Sequence, residues 1–514
     1  MKSVAVETMR ALDARTIAAG TSAMALMERA GRAAFAAMAE VLCSRLSAAH
    51  RRAYTVLAGK GNNGGDAYVV ARCLAEAGEA VAVYAVGGLR DLAGPALGHA
   101  LRLPARVPLH VVASLPPESL AAGTVVVDGL LGTGFSGRPR PPYDMLIAQV
   151  NAADCPVVAL DLPSGLDGDS GTCAGPAIEA DLTVTMGAPK QGLLTPAGLR
   201  QCGCLRCVEI GIPAAFLAEA PASGPEAILL QDVRAALRRR PRDSHKGLFG
   251  HLLVVGGSAW YSGAPFLAAA GAARSGAGLV TVAIPSGCQP QGALPAALIV
   301  RRLADDGQGF IGRSSGDEIV ALAEGRQALV FGPGLGPAAA GGAALARALD
   351  CGLPLLLDAD GLRLLAAQPG LARAARAPLV LTPHPGEMRA LLAGFACAPA
   401  APEDRGEQAR ALARAAGAVV VLKGMGTVVA DPSGRTAVNT SGSPALASAG
   451  TGDVLAGVIG ALLGQGLAPW EAACQGVFVH GLAAELGDGA ERSLTADDLA
   501  ARLALAWAAV SPRA

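Results

Sequence analysis

The sequence predicts an α/β protein of two domains, each built on a mainly parallel sheet between layers of helices. Short apolar strands alternate with helices of apolar periodicity along the chain, which is the order of a βαβ protein. Most of these strands run straight into a glycine-rich or polar loop, the place where open parallel sheets bind ligands. The length of 514 residues exceeds an average domain of roughly 150 residues, so more than one domain is expected.

Composition and charge exclude several classes of protein. Apolar residues make up 52% of the chain and aromatic residues only 3%, so Ala, Val and Leu must fill the cores. Lys and Arg together number 42, as do Asp and Glu, which argues against binding to nucleic acid or a membrane surface through net charge. No apolar run reaches the roughly 18 residues of a membrane span, and residues 1–7 lack a signal-peptide core. We expect a cytoplasmic protein with no membrane or nucleic-acid partner.

The eleven cysteines are scattered, which favours reduced thiols over a disulfide framework. Three of them, Cys202, Cys204 and Cys207, are close enough in sequence to hold a metal ion. No fourth ligand follows at zinc-finger spacing, and residues 208–210 are typical of a strand. A metal site here is therefore the minor alternative.

The first half of the chain contains a βαβ unit with a polar loop. Its elements are predicted as helices 9–19 and 23–47, strand 53–58, helix 67–77 and strand 80–86. Loop 59–66, Gly-Lys-Gly-Asn-Asn-Gly-Gly-Asp, differs from the GxGxxG of dinucleotide folds. Its two amides suit a neutral polar ligand or a hard monovalent cation. The alternative is a turn that needs Asn and Gly only for positive φ angles.

Two further strands of the first half end in acidic residues. Strand 124–128 ends at Asp128 and strand 156–161 ends at Asp161, with Ser164 close behind. Because the carboxyl ends of parallel strands meet at one edge of a sheet, these side chains should converge with Asn63. Oxygen ligands from separate loops are what a hard cation needs.

These motifs resemble the NAD(P)H-hydrate epimerase domain, and the resemblance covers residues 1 to about 215. The matching segments are 9–13, 59–66, 128–138, 160–167, 188–190 and 211–213. The resemblance implies a Rossmann-like three-layer α/β/α sandwich with a K⁺ site at Asn63, Asp128 and Ser164. It implies that the hydrated dinucleotide is cradled by Asn62, Asn63, Gly64, Gly65, Asp66, Gly132, Thr133, Gly134, Phe135, Ser136, Gly137 and Arg138.

The resemblance also implies that Asp161 faces the hydrated nicotinamide ring. We interpret Asp161 as a catalytic proton-transfer group. Epimerisation at carbon 6 of the ring needs either ring opening or loss and re-addition of water, and both routes move a proton.

A linker is predicted at residues 218–225, which are rich in Ala, Pro, Ser and Gly. The predicted domains are therefore 1–220 and 221–514. The basic run 238–242 is short and neighbours acidic residues, so we interpret it as a solvated domain edge and not as a binding patch.

The second half repeats the strand-loop pattern after a loop at 244–247. Its predicted elements are strand 252–255, helix 264–275 and strands 278–284, 327–331, 354–358, 379–381 and 419–422. Loops of polar or small residues follow these strands, so they should gather at one edge of a parallel sheet.

The stretch 448–457, Ser-Ala-Gly-Thr-Gly-Asp-Val-Leu-Ala-Gly, organises this second half. Its glycines lead into an apolar helix whose first backbone N–H groups form an anion site. Asp453 falls in the first helical turn, where an acid would repel phosphate. It makes sense there as a general base for a hydroxyl that attacks a phosphoryl group. The alternative is an ordinary helix-capping Asp.

Two other loops of the second half carry candidate binding residues. His384 lies between two prolines at a strand end, which holds it rigidly and favours a functional role over a structural one. Lys423, Gly424 and Thr427 can meet phosphates through a charge, a backbone N–H and a hydroxyl, although their spacing is not that of a Walker A loop.

This set of loops resembles the NAD(P)H-hydrate dehydratase branch of the ribokinase-like kinases, from about residue 225 to 510. The resemblance implies a ribokinase-like α/β/α sandwich in which Asp453 is catalytic. It implies that the adenine nucleotide is bound by Lys423, Gly424, Met425, Gly426, Thr427 and Gly452. It implies that the hydrate is bound by Ala277, Gly334, His384 and Asp453. One departure is Ser443, which stands in Gly-Ser-Pro where Gly-Asn-Pro is expected.

Together the two resemblances imply a bifunctional NAD(P)H-hydrate repair enzyme. Phosphorylation of the ring hydroxyl by ADP, with Mg²⁺ on the nucleotide, makes it a good leaving group, and elimination restores NADH or NADPH. The expected substrates are NADHX and NADPHX, and a homo-oligomer is expected. The alternatives are a ribokinase-like kinase of a small hydroxylated molecule and a non-catalytic scaffold.

Overall fold

The computed structural model describes residues 1–45, 53–237, 239–290, 296–337, 339–398, 401, 403–486 and 492–511. It divides into two compact units, Met1–Leu229 and Leu230–Ala514. The predicted boundary at 220 thus lies nine residues before the observed division. The chain beyond it still belongs to the first unit because it hydrogen-bonds to the N-terminus. The Met1 amino group donates to Ala227 O (2.8 Å), and Ser3 Oγ donates to Pro225 O (2.7 Å).

The first unit contains a seven-stranded, wholly parallel sheet in the order β3-β2-β1-β4-β5-β6-β7. Its strands are Ala53–Ala58 (β1), Val81–Ala85 (β2), Leu109–Val111 (β3), Thr124–Gly129 (β4), Val157–Leu160 (β5), Leu182–Met186 (β6) and Cys204–Val208 (β7). A further short strand, β8, spans Glu226–Ile228. The order reverses direction between β1 and β4, so the loops after these two strands diverge and leave a crevice between them.

Among the described residues of this unit, seven α-helices accompany the sheet. They are Val6–Ala18 (α1), Ala23–Arg45 (α2), Asn62–Glu76 (α3), Gly94–Ala100 (α4), Tyr143–Asn151 (α5), Pro196–Cys202 (α6) and Ala214–Glu219 (α7). Short 3₁₀ turns lie at Leu89–Asp91, Pro117–Leu120 and Gln191–Leu194. Helix α2 was predicted to reach 47, and residues 46 and 47 lie outside the described part of the chain.

Two predictions for the first unit were wrong in detail. Helix α3 begins at Asn62 and not after Asp66, so the second half of the predicted loop is helical. The strand expected at 208–210 is β7, which begins at Cys204. Because side chains alternate along a strand, Cys204 and Cys207 point to opposite faces of the sheet. Within the described residues, no group of three or more His, Cys, Asp or Glu is placed to hold a metal ion.

Strands β9 to β17 of the second unit lie in the order β11-β10-β9-β12-β13-β14-β15-β16-β17. The sheet is parallel from β11 to β15 and antiparallel at its last two pairings. The strands are His251–Val255 (β9), Leu279–Pro285 (β10), Ile299–Leu303 (β11), Ala328–Phe331 (β12), Leu355–Leu357 (β13), Leu379–Leu381 (β14), Val419–Leu422 (β15), Val428–Ala430 (β16) and Thr436–Asn439 (β17).

In the described part of the second unit, ten α-helices accompany this sheet. They are Leu230–Ala236 (α8), Ala264–Arg274 (α9), Ser315–Ala323 (α10), Gly341–Asp350 (α11), Asp360–Ala367 (α12), Pro385–Gly394 (α13), Arg405–Ala416 (α14), Thr451–Gly464 (α15), Pro469–Glu485 (α16) and Ala496–Val510 (α17). Short 3₁₀ turns lie at Lys246–Phe249, Pro369–Ala374 and Pro444–Leu446, so the loop predicted at 244–247 is partly helical.

Helix α15 is the centre of the second unit. Nearly all of its residues are buried, as expected for a helix that is apolar all round. It packs closely against α9, and Gly457 shows how closely, since a Cβ at this position would lie only 1.7 Å from Ala268 O. Close packing therefore fixes the N-terminus of α15, and with it the glycine loop and Asp453, relative to the sheet. Among the described residues, no helix combines the length and apolar character needed to cross a lipid bilayer.

Candidate active sites

The first unit has a cleft of about 560 Å³ between α1, the start of α3 and the loops that follow β4 and β5. Its polar lining comes from Arg10, Asp13, Lys60, Asn62, Asn63, Asp66, Thr133, Tyr143, Asp161 and Lys190. Apolar side chains such as Met9, Leu26 and Phe135 complete the walls. A partly apolar cleft with a few convergent polar groups is the usual form of a small-molecule site.

Asp161 and Lys190 form the central ion pair of this cleft. Asp161 follows β5 with φ of 63°, a left-handed conformation that is uncommon outside glycine and costs free energy. Its Oδ1 accepts hydrogen bonds from Lys190 Nζ, from Met186 N (3.1 Å) and from Thr185 Oγ1 (3.3 Å). Lys190 is only 1% exposed and also donates to Met186 O (3.0 Å). The strained backbone thus turns the acid towards a buried cation.

Two more acids share the cleft with this pair. Burial raises the pKa of Asp13 to about 6, with Lys190 lowering it and Asp161 raising it. Burial, followed by the charges of Asp161 and Asp13, raises the pKa of Asp66 well above its ordinary value. Three carboxyl groups therefore surround one ammonium group, so the cleft can hold protons near neutral pH.

Sequence reasoning named Asp66 and Asp161 but not Asp13 or Lys190 as site residues. Both missed residues lie in motifs that support the epimerase resemblance, 9–13 and 188–190. The available signal was a lone lysine close behind the apolar strand β6, where a parallel sheet places ligand-binding groups.

The predicted cation ligands come together beside this cleft. Asp128 is fully buried, and its Oδ1 accepts from Ser164 Oγ (2.6 Å) while its Oδ2 accepts from Ser164 N (2.8 Å). The Leu131 backbone joins them to Asn63, since Leu131 N donates to Ser164 Oγ (2.8 Å) and Asn63 Nδ2 donates to Leu131 O (2.8 Å). Burial raises the pKa of Asp128 to about 6.

Two features of this cluster favour a cation. Within the described residues, Asp128 has no salt bridge, so its charge lacks a positive partner. The Oδ1 of Asn63 is buried with no hydrogen-bond partner there either. A buried carboxylate and an orphaned amide oxygen match the ligands of a hard cation.

The predicted dinucleotide-binding residues divide into three groups. Those that line the cleft are Asn62, Asn63, Asp66, Gly132, Thr133, Gly134 and Phe135. Gly64 and Gly65 lie inside α3 and have a packing role, because a Cβ at Gly64 would lie 2.0 Å from Gly59 O. Ser136, Gly137 and Arg138 are not part of the lining, and the Arg138 side chain lies against Gly175.

In the second unit, Asp453 lies in the first turn of α15 as predicted. Its N-cap, Gly450, has φ of 85°, which a residue with a side chain would rarely adopt. Burial, reinforced by the charge of Asp358, raises the pKa of Asp453 to about 8. Within the described residues it forms no salt bridge, and with a pKa of about 8 its ionised form is a stronger proton acceptor than an ordinary carboxylate.

A lysine and two further acids face Asp453. Lys423 Nζ donates to Asp358 Oδ1 (2.7 Å) and lies 3.9 Å from Glu387 Oε2. Asp358 is 1% exposed and accepts a second hydrogen bond from Thr382 Oγ1 (2.8 Å). These carboxylates raise the pKa of the Lys423 ammonium against the effect of its burial. Sequence reasoning did not assign Asp358, although it ends a predicted strand.

The loop after β15 is held open by one arginine. Arg405 donates to the carbonyl oxygens of Leu422 (2.9 Å), Lys423 (3.0 Å) and Gly426 (3.1 Å), and also to Met425 O. Burial lowers the pKa of Arg405. Its guanidinium thus binds four successive or nearby carbonyl oxygens of this loop and fixes the loop conformation.

The same lysine connects this loop to the glycine stretch. A Cβ at Gly452 would lie 3.4 Å from Lys423 Nζ, so only a glycine leaves an open space between the ammonium and the start of α15. Thr427 closes the loop by donating from its Oγ1 to Gly424 O (2.9 Å). The predicted nucleotide residues therefore lie together.

His384 has a structural role that the sequence did not reveal. It is the N-cap of α13, and its Nδ1 accepts from Gly386 N (2.9 Å) and Glu387 N (3.2 Å). Glu387 completes the capping box by accepting from His384 N (2.8 Å). The ring is half exposed, and its Nε2 lies 3.5 Å from Glu387 Oε1.

The predicted hydrate-binding residues are only partly together. Gly334 follows β12 with φ of 68°, and its carbonyl accepts from Ser258 Oγ (2.8 Å). Ala277 was assigned wrongly, because it lies just before β10, at the opposite edge of the parallel sheet. Ala264, in the first turn of α9, contacts the Gly334 position instead, with its Cβ 3.0 Å from where a Gly334 Cβ would be. The repeated Ala and Gly residues of 264–278 hid this difference.

Ser443 lies at the start of the 3₁₀ turn Pro444–Leu446. Its Oγ donates to Ala484 O (3.3 Å), which attaches the turn to the end of α16.

Burial lowers the pKa of His480 on the same helix to about 4, so its ring is neutral. The His480 Nε2 lies 2.8 Å from Thr451 O, and this contact holds the first residue of α15.

Comparison with protein families matches both units. The family described as NAD(P)H-hydrate dehydratase matches residues 252–504, and the family described as YjeF-related protein N-terminus matches residues 23–192. A relative from Coxiella burnetii, called bifunctional NAD(P)H-hydrate repair enzyme Nnr, is 40% identical over 501 residues, 96% of each chain. A relative of the same name from Escherichia coli is 37% identical over 470 residues, 91% of this chain and 86% of that protein.

Among solved structures, the chain is similar to an ADP/ATP-dependent NAD(P)H-hydrate dehydratase from Bacillus subtilis that was co-crystallized with ATP/Mg²⁺. That protein is 29% identical with a TM-score of 0.46, and the match covers 56% of this chain and 100% of that one.

Proposed function

The chain belongs to the bifunctional NAD(P)H-hydrate repair enzymes, with an epimerase first domain and a dehydratase second domain, and we propose how its residues divide that work. The first-unit cleft takes the hydrated nicotinamide ring of NADHX or NADPHX. The second-unit site takes the epimer that it can dehydrate, together with ADP. The observation that carries this division is that each unit has its own cluster of one lysine and three acids at the carboxyl edge of its own sheet.

In the first unit, Asp161 is the proposed proton-transfer group. Lys190 and the Met186 N–H hold its carboxylate in one orientation at the cleft wall. Asn62, Asn63 and the loop from Gly132 to Phe135 line the cleft where the substrate would lie. Arg10 braces that loop by donating to Thr133 O (2.5 Å).

The K⁺ ion is proposed to be bound by Asn63, Asp128 and Ser164. The unpaired Asn63 Oδ1 and the uncompensated Asp128 support this assignment. Bound there, K⁺ would supply the positive charge that the Asp128 carboxylate lacks. The same residues join the loops after β1, β4 and β5, so the site would hold the cleft walls together.

In the second unit, Asp453 is the proposed base that takes the proton of the carbon 6 hydroxyl. Loss of that proton lets the oxygen attack the terminal phosphorus of ADP, which releases AMP. Backbone N–H groups at the start of α15 face the transferring oxygens. Phosphate then leaves carbon 6, the carbon 5 proton is lost, and the ring regains its double bond.

Lys423 and the backbone of Gly424 to Thr427 are proposed to bind the nucleotide phosphates. Arg405 supports this by keeping the loop carbonyls turned away from the ligand. Asp358 and Glu387 both face the single ammonium group of Lys423, and Asp453 adds a third carboxylate when it ionises, which fits a site that also receives Mg²⁺. Bound with ADP, Mg²⁺ would neutralise the phosphate charge.

The direct test is to incubate the purified protein with both epimers of NADHX, ADP and Mg²⁺ and to follow the return of NADH absorbance. Full regeneration that requires nucleotide is expected, and ATP in place of ADP measures donor preference. Regeneration at the same rate without nucleotide would contradict the phosphorylation step. Turnover of a sugar or pyridoxal, with none of the hydrate, would identify a small-molecule kinase instead.

A further inference from the structure

We propose that Asp13 is a second catalytic acid–base group of the epimerase site, acting on the carbon 6 hydroxyl opposite Asp161. The proposal rests on the epimerase activity and on the role proposed for Asp161, and it assigns a residue that neither the motifs nor the family comparison assigns.

The position of Asp13 is the first observation. It lies on α1, whose residues Met9, Arg10 and Ile17 line the same wall of the cleft. Asp161 follows β5 and lines the cleft from the edge of the sheet. The two carboxyl groups therefore reach the cleft from different structural elements.

The second observation is the bonding of Asp13. Its Oδ1 is buried and has no hydrogen-bond partner among the described residues, whereas the Asp161 Oδ1 has three donors. A buried carboxyl oxygen without a partner is unusual and needs an explanation. The Asp13 side chain as a whole is half-buried and lines the cleft, so a substrate hydroxyl bound there would supply a partner to this carboxyl group.

The charges around Asp13 suit a proton carrier. The charged side chains that face Asp13 are those of one basic residue and two acidic residues, Lys190, Asp161 and Asp66. Burial raises its pKa to about 6, so both its acid and its carboxylate forms are available near neutral pH. Asp161 is held as the ion-pair partner of Lys190. One group can thus donate a proton while the other accepts one.

The proposed step is water loss followed by re-addition. Asp13 gives its proton to the hydroxyl oxygen as the carbon 6–oxygen bond breaks, and both bonding electrons stay on the oxygen, which leaves as water. The lone pair of the ring nitrogen forms a double bond to carbon 6 and leaves a planar cation. A water molecule then adds to the other face, and its proton passes to the Asp161 carboxylate.

The proposed step balances in atoms, electrons and protons without an external reagent. One water leaves and one returns, no electron is gained or lost, and one proton moves from Asp13 to Asp161. The reverse reaction moves it back, and exchange with solvent resets the pair between turnovers. Both carboxyl groups are ionised while the cation exists, since Asp13 has given up its proton and Asp161 has not yet accepted one, and their charges stabilise the cation.

The test uses the full chain without nucleotide, so that only epimerisation is measured. One pure NADHX epimer is converted by wild type, Asp13→Asn and Asp13→Glu, with chromatographic separation of the two epimers. Glu7→Gln is the matched control, because Glu7 lies on α1 but is exposed and outside the cleft. Asp13→Asn should lose about 10²-fold or more of kcat, Asp13→Glu less, and Glu7→Gln nothing.

The pH profile separates a proton carrier from a residue that only shapes the cleft. For the epimer whose conversion starts from protonated Asp13, the wild-type rate should fall as the pH rises through the Asp13 pKa of about 6, and the other epimer, whose conversion starts from ionised Asp13, should show the opposite limb. Asp13→Asn should lose that limb of the profile. An unchanged limb, or an effect on KM alone, would overturn the proposal.

Oxygen-18 water tests the step itself. Each inversion by wild type should place one solvent oxygen on carbon 6, and Asp13→Glu, which retains a carboxyl group, should show the same ratio. Inversion with retention of the original oxygen would mean ring opening and would overturn the proposed step. A wild-type protein that cannot epimerise at all would contradict the epimerase function, whereas an active wild type with an equally active Asp13→Asn contradicts only the role of Asp13.

Discussion

The two sites contain the same groups but distribute them differently. In the first unit, Lys190 pairs with Asp161 at the end of β5, and in the second, Lys423 pairs with Asp358 at the end of β13. Each pair lies beside a strained residue, since Asp161 has φ of 63° and Ala359, next to Asp358, has φ of 48°. Each site also contains acids that lack a cation of their own.

The difference lies in which acid forms an ion pair with the lysine. The sequence-based assignment chose Asp161, which is paired, in the first unit and Asp453, which is unpaired, in the second. Burial raises the pKa of two acids that form no salt bridge among the described residues, to about 6 for Asp13 and about 8 for Asp453. A motif therefore identifies the acids of a site, but the folded chain determines which of them pairs with the lysine.

The largest expected effect comes from removing one proposed proton acceptor at a time. Asp453→Asn should lower dehydration by roughly 10²-fold or more and leave epimerisation intact. Asp161→Asn should lower epimerisation and leave dehydration intact. Asn tolerates the positive φ of this position, and its side-chain oxygen can still accept a hydrogen bond from Lys190. On mixed epimers with ADP, progress curves should be nearly flat for Asp453→Asn and biphasic for Asp161→Asn.

Circular dichroism of both variants checks that they are folded. Two equally flat curves from folded proteins would contradict the division into two sites, and a single composite site would then replace it.

The K⁺ dependence should affect only the first site. Replacing K⁺ with tetramethylammonium should weaken hydrate binding to the first unit by roughly tenfold, about 1.4 kcal/mol, because Asp128 loses its counter-charge. Dehydration of the preferred epimer should not change. The measurement is epimerisation rate against hydrate concentration in each salt, with Asp128→Ala as the variant. A folded Asp128→Ala protein with full epimerase activity would show that this cluster has no functional cation.

Stability should depend on pH at Asp453. Its pKa is about 8 in the folded protein, against about 3.9 for an unfolded Asp. Folding thus disfavours the ionised form of Asp453. The resulting loss of folding stability is absent below about pH 4, grows as the pH rises, and is complete above about pH 8. Asp453→Asn should therefore raise the melting temperature of the second unit, more at pH 8 than at pH 5.

Thermal unfolding at pH 5 and at pH 8 measures this difference in melting temperature between Asp453→Asn and the wild type. Asp317→Asn is the control, since Asp317 is largely exposed and its loss should stay within about 0.5 kcal/mol at both. A variant that is no more stable at pH 8 than the wild type would mean that the ionised Asp453 is solvated in the free enzyme.

The smallest effect separates the two roles of His384. His384→Ala removes the cap of α13 and should cost about 1 kcal/mol of stability, whereas His384→Asn keeps a capping acceptor and should cost less. If Nε2 also binds the hydrate, both variants should raise KM for dehydration. A normal KM in His384→Asn would leave the cap as the only role of this residue.

Much of the fold could be predicted from local pattern. Strands β1, β14 and β15 begin and end at the predicted residues, because short apolar runs between turn residues have few other stable conformations. Helix α3 could not be placed, since glycines at 64 and 65 read as a loop. Only their contacts with Gly59 and Met27 show that they are packed inside a helix.

The sequence by itself determined the family, the order of strands and loops, and most of the residues at each site. The tertiary structure decided the pairing of lysines and acids, the unpaired Asp13, the capping role of His384 and the exclusion of Ala277. Lys190 and Lys423 reach partners 29 and 65 residues away, so each choice depends on which strands are neighbours in the sheet. Burial then shifts the pKa of the remaining acids, and burial is a property of the packed chain.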